Sequence, residues 1–302
     1  MSTQISTWAK TRKLRAAPNN WVPHRGILPH FLIKAKAVVA EPPGQQLFQL
    51  QERQLRFFHQ LPSGLKMEVI EHPAYPGVKE NRPTLVFLHG SYHAAWCWAL
   101  HWLPFFASQG YDCFALSFLG QGQSDTPPSR VGGTLQSHAR DVAHFIRSRI
   151  SKPPVLVGHS FGGLIVQQYL VHVAESPLSA TLEGWEEPYP PLTGAVLACS
   201  VPPTGNGPLV QRYLRNKPIA SIKVTLSFAA KLFAYNESLC KETFFSANMP
   251  LSLVQVYQKL LAKSSNVPLF NLKELNASLP VGDPVENAPP ILVIGAENDF
   301  VV

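Results

Sequence analysis

Gly158-His159-Ser160-Phe161-Gly162, followed by Gly163, is the segment of this 302-residue chain whose residue types and spacing best suit chemistry. A serine with glycine two positions before and two after fits a tight strand-to-helix turn. Such a turn exposes the serine Oγ, and the small neighbours let the backbone approach closely. The apolar run Val155–Val157 before it and the apolar stretch Leu164–Val173 after it predict that strand and that helix. The chemistry is nucleophilic attack, and the helix N-terminus favours the negative charge that develops.

A second segment supports the first. The run Thr84–Leu88 reads as a buried strand ending in His89-Gly90-Ser91-Tyr92. A loop at that place presents backbone N–H groups. Those of Ser91 and Phe161 are the expected donors to an oxyanion, each worth about 2.7–4 kcal/mol in a transition state. His89 reads as a residue that fixes the loop, and the His159 ring is expected to point away from the Ser160 Oγ. A third segment, Gly120-Gln121-Gly122-Gln123-Ser124-Asp125, lacks the third glycine and the lysine of nucleotide-binding loops, so it reads as a tight turn.

These segments need a frame, and the hydropathy pattern supplies one. Gln51–Gln60 and Leu65–Glu71 alternate around Pro62-Ser63-Gly64 and predict an antiparallel hairpin. The short apolar runs Thr84–Leu88, Cys113–Phe118, Val155–Val157, Ala195–Cys199 and Ile291–Ile294 read as parallel strands covered on both faces. Between two of them, Thr134–Ile150 is an amphipathic helix with Thr134 as its N-cap. The alternation predicts an α/β fold with a doubly wound, mostly parallel sheet. Residues 203–287 interrupt it with helical patches at Leu209–Arg215, Ile222–Phe233 and Leu251–Ala262, and predict a helical lid. The core is then 41–202 with 288–302.

Composition excludes several classes. Hydrophobic residues make up 45% and charged residues 15%, which suits a sizeable buried core. No run of 18 apolar residues is present, so no transmembrane segment is predicted. The 26 basic residues exceed the 19 acidic ones by seven. That excess lies wholly in Lys10, Arg12, Lys13, Arg15, Arg25, Lys34 and Lys36, so a nucleic-acid groove has no support. Residues 1–40 contain no carboxylate and several Ser and Thr, the composition of an organellar transit peptide, a chloroplast before a mitochondrion. Cys97, Cys113, Cys199 and Cys240 are far apart, match no metal-ligand spacing and read as free thiols.

From about residue 46 onward the chain resembles the α/β-hydrolase superfamily. The resemblance rests on LVFLHG, GQGQSD, VLVGHSFGG and ILVIGAEND, in the family's order. HGSYHAAWCW is also similar to the plant methylesterase and hydroxynitrile-lyase branch, whereas SFLGQGQSD departs from it. The resemblance implies Ser160 as nucleophile and Asp299 as the catalytic acid, with no cofactor and no metal. It also implies a histidine base after the acid, yet all eleven histidines precede Asp299, so none in this chain is assigned that role. The expectation is a carboxyl-terminally truncated form of trace activity. The activity expected of the family member is hydrolysis of a small apolar ester through an acyl-enzyme. The alternatives are a non-catalytic binding protein on the same fold, and a lyase or carbon–carbon hydrolase using the same triad.

Overall fold

The computed structural model describes residues 48–78, 82–173 and 189–296. The basic segment 1–40 and Asp299 therefore lie outside the described residues.

The hairpin forms from β1 (Leu55–Gln60) and β2 (Lys66–His72), which pair antiparallel from Leu55↔Glu71 to Gln60↔Lys66. The first strand is shorter than its alternating pattern suggested, because 52–53 turn and Arg53 takes a positive φ of 68°. Five further strands follow: β3 (Leu85–Leu88), β4 (Cys113–Leu116), β5 (Val155–Ser160), β6 (Gly194–Ser200) and β7 (Ile291–Ile294). The seven strands form one sheet in the order β1-β2-β4-β3-β5-β6-β7. Pairing is antiparallel from β1 to β4 and parallel from there to β7. All four residues of β3, at the centre, are buried, as expected of a parallel strand covered on both sides. At the β7 edge, Leu292, Val293 and Ile294 are exposed.

Two short helices follow β3: α1 (Trp96–Ala99) and α2 (Trp102–Ser108). The hydropathy pattern had not indicated either. Next come α3 (Leu135–Arg149) and α4 (Phe161–His172). Thr134 caps α3 as expected: its hydroxyl accepts the Ser137 N–H, and the Ser137 hydroxyl accepts the Thr134 N–H in return. The stripe Val142, Phe145 and Ile146 is buried.

Between β6 and β7 run α5 (Gly207–Asn216), α6 (Pro218–Ala229), α7 (Glu237–Phe244), α8 (Leu251–Ser264) and α9 (Leu272–Ala277). The sequence pattern located α5 and α8 closely. It placed α6 four residues late and missed α7 and α9. Both missed helices are short and begin at an asparagine whose side chain accepts backbone N–H groups, so their signal is in the cap more than in the periodicity.

Candidate active site

Ser160 is the last residue of β5 and the residue before the first turn of α4. Its φ of 53° and ψ of −121° turn the chain from strand to helix within one residue. A non-glycine residue in that region is strained, and here its neighbours hold it there. The register of β5 on β6 slips at the same place, from His159↔Ala198 to Ser160↔Ser200. Cys199, skipped by the slip, has a positive φ of 41°, and the Val201 N–H donates to the Ser160 carbonyl at 3.1 Å.

The glycines around it are required by contact. A Cβ on Gly158 would lie 2.5 Å from the Gly162 carbonyl oxygen, and one on Gly162 would lie 2.5 Å from that of Leu88. A Cβ on Gly163 would run into the Ser200 hydroxyl. A Cβ on Gly90 would stand 2.8 Å from the Cβ of Ser160, so the loop after β3 passes directly over the serine. Ser160, Phe161, Gly90 and Ser91 are thus brought to one place.

That loop is held from both ends. His89 is fully buried; its Nδ1–H donates to the Gly90 carbonyl at 2.7 Å, and its Nε2 accepts the Phe118 N–H at 3.1 Å. This pairing fits the neutral ring, and burial holds its pKa down at about 3. His93 donates from Nδ1 to the Ser91 carbonyl at 2.8 Å, and burial with the nearby His159 holds it at about 4. The Ser91 N–H donates no hydrogen bond among the described residues. The His159 ring lies edge-on to those of His93 and Trp98, 6.1 and 6.4 Å away between centroids.

Two residues important to the site carried no motif. Tyr92, next to Ser91, has a positive φ of 62° and reaches across to α6. Its hydroxyl donates to the Phe228 carbonyl at 2.6 Å and its ring stacks on that of Phe228. Glu68, buried in β2, is the second. It forms an ion pair with Arg56, whose Nε lies 2.8 Å from Oε1, and its Oε2 accepts the Ser117 hydroxyl at 2.7 Å and the Gln123 N–H at 2.9 Å. Ser117 in turn accepts the Ala95 N–H at 2.9 Å. One carboxylate therefore ties the turn at 120–125 to the chain entering α1. The cross-strand pair Phe58↔Glu68, with Arg56 two residues away on β1, was the available signal.

The inserted helices add an aromatic wall. Phe233 and Phe244 lie edge-on at 4.9 Å, and each also meets the loop after β3, at Tyr92 and at His93 respectively. Tyr257 stacks on Trp96 and Phe245. Among the described residues no three His, Cys, Asp or Glu side chains gather as metal ligands.

The model of the alpha/beta hydrolase family matches residues 85–302. Solved structures similar to the chain include an esterase from Exiguobacterium antarcticum, at 18% identity and a TM-score of 0.52, covering 82% of this chain and 83% of that one. A hydrolase from Pseudomonas aeruginosa matches at 18% identity and a TM-score of 0.52, covering 82% of each chain. A carboxylesterase from the thaumarchaeon Nitrososphaera gargenis matches at 12% identity and 0.53, covering 81% of each. No curated protein matches the chain significantly. At such identities the structures speak for the fold alone, and the family match spans most of the chain. The chain belongs to the alpha/beta hydrolase family.

Proposed function

We propose that the protein is a serine esterase that takes a small apolar acyl ester, with Ser160 as its nucleophile. The observation that carries the reading is Ser160 itself, held at a φ of 53° between β5 and α4 with Gly90 against its Cβ. In the reaction, Ser160 Oγ bonds to the ester carbonyl carbon and the carbonyl oxygen becomes an oxyanion facing the N–H groups of Ser91 and Phe161. As the oxyanion collapses the ester C–O bond breaks, and the proton lost from the Ser160 hydroxyl is delivered to the departing alkoxide, which leaves as an alcohol. Water then cleaves the acyl-serine to a carboxylic acid and restores the Ser160 hydroxyl. Asp299 is the proposed acid. The wall of Phe233, Phe244, Phe245 and Tyr257 favours an apolar acyl or aryl group over a sugar. Solved structures of the same fold include an esterase and a carboxylesterase, so the fold is one that accommodates this chemistry.

A second reading, a binding protein on the same pocket, is favoured by the commitments of the histidines beside the elbow. His89 has both ring nitrogens engaged, and His93 has its Nδ1 committed to the Ser91 carbonyl and is made a weak base by burial, which lowers its pKa to about 4. The two readings separate by mass spectrometry after exposure to a nitrophenyl acyl ester. The esterase gains one acyl group on Ser160, and Ser160→Ala gains none. An unmodified protein whose ester turnover equals that of Ser160→Ala would establish the binding protein instead.

A further inference from the structure

Helix α6 turns Phe228 toward Tyr92 and Phe244 and leaves a row of large aliphatic side chains in solvent. It buries Ser221 and Ser227, while Ile219, Ile222 and Leu226 are 73%, 52% and 52% exposed. Those three positions are three and four residues apart, so they form one stripe along the helix. On α5, which has no buried residue, Val210 and Leu214 are four apart and also exposed. Exposed aliphatic rows of this kind mark a contact surface.

The charge beside it has one sign. Arg212, Arg215 and Lys223 lie on these two helices, and the sequence holds no Asp or Glu between Tyr189 and Asn236. Among the described residues the acid paired with one of them is Glu242 of α7, 3.9 Å from the Lys223 Nζ, with both side chains about half exposed. A pair that loose and that wet leaves most of the positive potential in place.

We propose that the α5–α6 face docks on the surface of an anionic lipid bilayer. The aliphatic stripe would enter the boundary between headgroups and acyl chains, and Arg215 and Lys223, which flank the apolar rows, would lie at the level of the lipid phosphates. Exposed aliphatic side chains beside unbalanced cations are the combination that holds a helix in the plane of such an interface. A second copy of the same face would set positive charge against positive charge. Among the described residues no helix is long and apolar enough to cross the membrane, so the contact is with its surface. This inference does not depend on the chemistry at Ser160.

The test is co-sedimentation of the full chain with vesicles of phosphatidylcholine, with and without about 30% phosphatidylglycerol. Binding is expected to the anionic vesicles and to weaken as salt rises. The triple variant Ile219→Ser, Ile222→Ser, Leu226→Ser should bind about tenfold more weakly or worse, with its melting temperature kept. Arg215→Glu with Lys223→Glu should weaken binding and flatten its salt dependence. The basic segment 1–40 is a competing anchor, so Lys10, Arg12, Lys13 and Arg15 are also changed to Glu. That variant should retain most of the binding. Equal binding by the wild type and the triple variant would overturn the proposal. So would no binding to anionic vesicles, or a wild-type dimer that the triple variant converts to a monomer.

Discussion

The hydroxyl of Tyr92 donates to the Phe228 carbonyl at 2.6 Å, joining the loop that passes over Ser160 to helix α6. Their rings lie 5.8 Å apart and 16° from parallel. Tyr92→Phe should keep the stacking and lose the hydrogen bond, which is worth about 1 kcal/mol. Amide exchange across 218–229 should then quicken about fivefold. If Tyr92 also positions the ester site, KM should rise with little change in kcat. Unchanged exchange would show that the bond does not restrain α6.

Gly90→Ala tests the approach of the loop to the serine. The new methyl would lie 2.8 Å from the Ser160 Cβ, and the loop must retreat to admit it. Acylation of Ser160 should fall by about 10²-fold, the usual consequence of displacing a reacting group by roughly 1 Å. The folded state should survive, as circular dichroism would report.

Glu68→Gln should unfold the protein early. It leaves Arg56 without its partner in a nearly buried place and weakens the bonds from Ser117 and Gln123. Breaking one side of a buried ion pair costs about 3 kcal/mol. That lowers the melting temperature by about 6–12 °C in a chain of this size. Thermal melts of the wild type and variant measure it.

Acid should destabilise the fold through its buried neutral histidines. Burial holds His138 at about 4, where its Nε2–H donates to the Leu269 carbonyl and its ring packs against Phe118 and Phe270. His93 is also held at about 4, and His89 at about 3. These values lie below the ordinary 6.5, so between about pH 4 and 6.5 the unfolded chain binds more protons. The stability these three histidines contribute is complete above 6.5 and declines as pH falls, by up to about 1.4 kcal/mol per pH unit for each group. His138→Phe should flatten the slope of melting temperature against pH between 5 and 7. A slope equal to that of the wild type would remove His138 from the account.

Residues 1–40 fused to a fluorescent protein should direct it to an organelle, in a plant cell a plastid in preference to a mitochondrion. Diffuse cytosolic fluorescence would refute the address.

The parts of the protein most legible in sequence were those governed by local rules. The elbow was visible because Gly158, Gly162 and Gly163 are spaced by a backbone clash, and the α3 cap because Thr134 and Ser137 bond each other. The central strands were visible because burial on both faces leaves β3 no polar residue. What stayed hidden depends on partners distant in the chain. Tyr92 meets Phe228 from 136 residues away, and Glu68 gathers an ion-pair partner and two hydrogen-bond donors from other segments. No spacing records such meetings. The exposed aliphatic row of α6 was missed for a different reason. A stripe of Ile and Leu reads as core unless the burial of Ser221 and Ser227 is already known.

At residues 90, 158, 162 and 163 any side chain larger than hydrogen forces the surroundings to shift, and none of the four contributes a reacting atom. In a scan of every substitution, these positions should be as intolerant as Ser160 itself. The pattern of tolerance would therefore outline the shape of the elbow and would not single out the residue that does chemistry. Chemistry would show only where an isosteric exchange is harmful. Ser160→Ala removes one oxygen atom and leaves the backbone path as it was, so mutational robustness and reactivity separate cleanly at that residue.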